Sequence, residues 1–83
     1  MNKIIYAVKD LALQAFGNPF FLRAKGEAIR SFQDEVNNKN DKSAIAAHPE
    51  DYELHQLGTY NDETGEITTD HQLVSRAVDL IRE

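Results

Sequence analysis

Eighty-three residues without a cysteine make one domain, 1–83, that neither a disulfide nor a thiolate-bound metal can staple. No apolar run reaches the roughly 20 residues of a membrane span or the length of a signal-peptide core, so the sequence predicts a cytosolic protein with no membrane role. The net charge of −5 is unevenly spread: residues 1–30 carry five basic and two acidic side chains, whereas residues 31–83 carry four basic and twelve acidic ones. Phosphate affinity comes largely from Lys and Arg, so an acidic chain binds nucleic acid only if its basic part forms a face apart from the rest.

Residues 3–9 read as a strand, with Ile4, Tyr6 and Val8 on one side. Residues 11–15 show no clear period and fit either a helical turn or more strand. Gly17-Asn18-Pro19 breaks any regular element, because Pro19 pushes Asn18 out of the α region. Phe20-Phe21-Leu22 follows as a short second strand. The plainest helix spans about 26–37, where Ala28, Ile29, Phe32 and Val36 form one apolar stripe and Arg30 can pair with Asp34.

A polar loop covers 37–42, and Ser43 caps a turn at 44–47 that Pro49 ends. Residues 52–60 read as a strand in which Tyr52 and Leu54 alternate and Leu57 falls out of phase, so either a bulge intervenes or both faces are partly covered. Asn61 to Gly65 is a hairpin turn, with Gly65 in the left-handed position, and 66–69 is the return strand. Leu73, Val74, Ala77, Val78 and Ile81 fit a helical stripe over 72–82, although the segment could also extend. The expected fold is α+β: a small antiparallel sheet of three to four strands, one main helix packed on one face and a short C-terminal helix.

The residues that could carry chemistry are sparse. His48, His55 and His71 lack the spacing of a helical metal pair; Glu53 and His55 share a strand face, but two ligands do not close a metal site. Ser31, Ser43 and Ser75 sit in no nucleophile elbow, and the acidic pairs 34/35, 50/51 and 62/63 lie in polar segments that would leave them solvated. No glycine-rich phosphate loop is present, so no cofactor is expected, and the chain is expected not to be an enzyme. One constellation points to binding. Phe16, Phe20 and Phe21 lie near Arg23, Lys25 and Arg30, and single-stranded nucleic acid is held by aromatic stacking with cations along its backbone. The same phenylalanines would serve equally as core. Alternation along a strand keeps Phe20 and Phe21 off the same sheet face, which leaves one of them for a partner.

The blocks 5–10 (IYAVKD), 16–21 (FGNPFF), 26–37 (GEAIRSFQDEVN), 48–54 (HPEDYEL) and 57–65 (LGTYNDETG) stand in that order. Together they resemble the small non-structural protein of gokushovirus-type microviruses (Microviridae), single-stranded DNA phages. The resemblance covers about residues 4–66. It implies a protein of the host bacterial cytoplasm, absent from the capsid, that binds DNA and acts in single-stranded DNA synthesis or its coupling to packaging. It carries over no residue-level site. The contacts expected from the residues themselves are Lys3, Lys9, Arg23, Lys25 and Arg30 for phosphate and Phe20 or Phe21 for stacking. The alternative is an adaptor, such as a homodimer, that recruits phage or host replication or assembly proteins through the acidic half and never touches DNA.

Overall fold

The computed structural model describes residues 2–38 and 43–82. Its frame is a five-stranded antiparallel sheet with one main helix, the α+β arrangement expected. The strand count exceeds expectation because two short strands share one edge of the first. Strand β1 (Asn2–Asp10) pairs along one side with β4 (Tyr52–Asn61). Its other side pairs with β2 (Ala15–Phe16) at one end and β3 (Phe20–Leu22) at the other. Strand β5 (Ile67–Arg76) pairs with β4 and forms the far edge.

Local chemistry sets each turn. The Asp10 carboxylate accepts hydrogen bonds from the Ala12 and Leu13 amides at 3.0 and 3.2 Å, which folds residues 11–14 into the β1–β2 turn. Gln14 closes that turn with φ of 53°. Gly17-Asn18-Pro19 then separates β2 from β3, as its breaker chemistry dictates. The 61–65 hairpin also forms as expected: Gly65 has φ of 79° and donates its amide to the Asn61 carbonyl at 2.7 Å.

Helix α1 (Lys25–Val36) lays Ala28, Phe32 and Val36 on the sheet, and all three are buried. They meet Tyr6 and Leu54, with Ile4, Val8, Phe20, Leu22, Ile29, Ile45, Tyr52, Val74 and Leu80 packed around them. Helix α2 (Ala44–Ala47) is capped by the Ser43 hydroxyl, which accepts from the Ala46 amide at 3.4 Å. The polar loop expected at 37–42 lies partly outside the described residues.

Two expectations change. The C-terminal apolar run does not become a helix over 72–82: residues to Arg76 pair with β4, and a single 3-10 turn, Ala77–Leu80, follows. Pairing satisfies the side of the β5 backbone that faces β4, and Val74 still reaches the core because the β4–β5 register shifts beside it. Asp34 pairs with Arg82 at 3.3 Å rather than with Arg30. The tail is tied down there: Asn37 donates to the Leu80 carbonyl at 2.9 Å and accepts from the Arg82 amide at 2.7 Å. No helix among the described residues is long and apolar enough to cross a membrane.

Candidate nucleic-acid interface on the open face of the sheet

Side chains alternate along β1, so Ile4, Tyr6 and Val8 under α1 place Lys3, Ile5, Ala7 and Lys9 on the opposite face. Residues directly across a ladder share a face. Phe16 lies opposite Lys9, Phe21 opposite Ile5, Tyr60 opposite Lys3, and His55 opposite Ala7. The described helices and 3-10 turns that pack on the core do so on the other side, so this face is open.

The open face is roofed by its own rings. Strands β3 and β4 flank β1 and are therefore about 9–10 Å apart. Yet the Phe21 and Tyr60 rings approach to 5.7 Å, so they lean toward each other over β1, and Ile5 beneath them is only 7% exposed. The Phe16 and His55 rings meet in the same way at 5.2 Å and bury Ala7. Small residues make room for this. Leu57 is skipped in the pairing of β1 with β4, so the out-of-phase residue does mark a bulge. Next to it, Gly58 lies so close to β5 that a Cβ there would run into the Thr68 carbonyl oxygen. By their register the two ring pairs centre four residues apart along β1, about 13 Å. Phe16 and Phe21 still present 41% and 47% of their surface to solvent.

A polar chain runs under Phe16. His55 is buried and uses both ring nitrogens: Nε2 lies 2.9 Å from the Glu53 carboxylate and Nδ1 lies 3.0 Å from Nε2 of His71. The Phe16 ring sits edge-on to both imidazoles, 5.2 Å from one and 5.5 Å from the other. The Lys9 ammonium lies 5.6 Å from the Phe16 ring centroid, within cation–π range. Asp70, next to His71 in sequence, is turned to the helix side, where its carboxylate accepts from Gln56 at 3.2 Å and from Gln72 at 2.9 Å. His48 stands apart and pairs with Glu50 at 3.6 Å in solvent.

The model of one protein family, described as Phage ORF5 protein, matches residues 3–80. The chain belongs to that family. Searches of curated proteins and of solved structures gave no match. The match runs from β1 into the last 3-10 turn, so it takes in the whole open face and the Glu53–His55–His71 chain.

Of the seven contacts expected from sequence, the fold brings three onto this face: Lys3, Lys9 and Phe21. Phe20 points the other way. It stacks on the buried Tyr6 ring, centroids 6.0 Å apart and 29° from parallel, and belongs to the core. Arg23 and Lys25 are exposed at the junction of β3 and α1. Arg30 is two residues from both Ala28 and Phe32, about 200° round the helix, and faces away from the sheet. Among the described residues the ion pairs of Lys and Arg are Arg76 with Asp79 and Arg82 with Asp34, and Lys3 is one of the charges that lower the pKa of Asp62.

Sequence reasoning missed Tyr60, Glu53, His55 and His71 as a group and left Phe16 off the contact list. The period of two in β4 does put Glu53 and His55 together. Nothing in the sequence says that β1 lies between β2 and β4, which is what brings Phe16 to His55.

Proposed function

We propose that this Phage ORF5 family member is a non-structural accessory protein of a gokushovirus-type microvirus that binds single-stranded DNA across the open face of its sheet, in the host bacterial cytoplasm, and acts by binding rather than catalysis. The observation that carries the proposal is the pair of ring clusters, Phe21–Tyr60 and Phe16–His55, each with a lysine beside it and neither covered by a helix. Bases stack on exposed rings whatever their identity, at about 1–3 kcal/mol each, and lysines beside the rings follow the phosphates. The role that fits such a surface is protection or hand-over of the viral single strand during its synthesis or packaging.

Fluorescence anisotropy of a dye-labelled oligothymidylate over a salt series tests it. Two lysines on the face give a slope of log affinity against log salt of about −1.4 at neutral pH. A flat slope, or no binding at low salt, overturns the proposal.

The acidic remainder of the chain favours a second reading, an adaptor for replication or assembly proteins, because just two of the five amino-terminal cations reach the open face. Pull-down from infected cells separates the two. Protein partners that survive nuclease treatment support the adaptor, and partners lost with the nucleic acid support direct DNA binding.

A further inference from the structure

We propose that His71 is a phosphate-contacting residue of the open face, aimed by Glu53 through His55, and that it adds one cation to the face as the pH falls. The inference rests on the DNA-binding proposal and names a contact within that site. Its physical basis is proton accounting along a chain of three side chains. The ionised Glu53 carboxylate can only accept, so His55 carries its proton on Nε2, the nitrogen 2.9 Å away. The Nδ1 nitrogen of neutral His55 is then an acceptor, and its partner 3.0 Å away, Nε2 of His71, must be the donor. Both tautomers are thereby fixed by a carboxylate at the far end.

This leaves the Nδ1 nitrogen of His71, which has no protein partner among the described residues, on an exposed side chain of the open face. When His71 is neutral, Nδ1 is a bare lone pair and repels a phosphate oxygen. When His71 gains a proton, Nδ1 becomes a charged N–H donor. No tautomer or ring has to rearrange, because Nε2 already carries its hydrogen. His55 can accept from His71 in either state.

The charged and titratable groups around His71 come from three strands. From β4, Glu53 acts through the buried His55 imidazole. From β1 comes Lys9, whose ammonium sits 5.6 Å from the Phe16 ring centroid. From β2 comes Phe16, which has no titratable group and whose ring lies edge-on to His71. On β5 itself, the Asp70 carboxylate is engaged by Gln56 and Gln72. Beyond β5 the described residues add no further strand to the sheet. The cation would thus appear next to Phe16, where a base stacked on that ring would bring its phosphate.

The test is the oligothymidylate salt series repeated at about pH 5.5 and about pH 8, on either side of the ordinary histidine range, with a pH-insensitive dye. The wild-type slope should steepen by about 0.7 at the lower pH, which near 0.1 M salt is about a fivefold gain in affinity. His71→Gln should remove the gain, so that its slope is the same at both pH values. Glu53→Gln should shrink it, whereas His48→Gln should keep it. Nitrogen chemical shifts of the unbound protein give a second readout: His55 should carry its proton on Nε2 and His71 on Nε2. A wild-type slope that does not change with pH, a gain that survives His71→Gln, or the opposite tautomer at His55 overturns the inference while DNA binding stands. Absence of binding at both pH values overturns the DNA-binding proposal, and this contact with it.

Discussion

The two faces of the sheet share every strand and differ in what covers them. On the helix side, Tyr6 and Leu54 are wholly buried and α1 closes over them with Ala28, Phe32 and Val36. On the other side the rings of Phe16 and Phe21 stay half exposed, and beside them Ile5 and Ala7 are buried. A domain this small can close just one core. The covered face supplies stability, and the open face holds large rings that the fold does not need to bury. The adjacent residues Phe20 and Phe21 mark the division: one stacks on Tyr6 in the core and its neighbour meets Tyr60 on the open side.

Substitutions that separate folding from binding sharpen this contrast. The largest effect is expected from Leu54→Ala. Truncating a wholly buried leucine costs about 2–5 kcal/mol, a large share of the roughly 5–15 kcal/mol that holds a typical domain folded. Urea denaturation would measure it, and the molecules still folded should bind DNA as before. Next comes Phe21→Ala, which should weaken DNA binding by about 1–3 kcal/mol and hardly shift the urea midpoint. Phe20→Ala should do the reverse. If the two variants behaved alike, the division between the faces would be wrong.

A smaller effect concerns Tyr6. Its hydroxyl is buried without a hydrogen-bond partner among the described residues, so Tyr6→Phe should stabilise the fold by about 1 kcal/mol. Burial also raises the Tyr6 pKa, and burial followed by the neighbouring Asp10 charge and hydrogen bond raises that of Tyr52. A folded-state pKa above the unfolded value means that the neutral phenol belongs to the fold. Stability from both groups is therefore complete below about pH 10 and declines as pH rises further, and an alkaline melting series should show that decline lessened in Tyr6→Phe.

The smallest contrast is electrostatic. Lys9→Ala should make the salt slope shallower by about 0.7, whereas Arg30→Ala, on the outer side of α1, should leave it unchanged.

Much of the covered face was legible in the sequence, because period and punctuation are local. The stripe of Ala28, Ile29, Phe32 and Val36, the 17–19 break and the 61–65 hairpin all announce themselves within a few residues. The tail was harder: Leu73, Val74, Ala77 and Val78 satisfy a helical stripe, and pairing with β4 decides the issue from twenty residues away. The open face was harder still. Lys3, Lys9 and Phe21 follow from composition and alternation, but Arg30 was grouped with them by sequence proximity although the helix turns it outward. His71 reaches His55 through a β4–β5 register that two irregularities set, and no local pattern carries that register.

The most direct test of the account is an amide and aromatic NMR titration of the protein with oligothymidylate. Shifts should concentrate on Lys3, Lys9, Phe16, Phe21, Tyr60 and His71, and the outer side of α1 around Arg30 should stay still. Shifts centred on α1 or the acidic hairpin tip, with the open-face rings undisturbed, would contradict it.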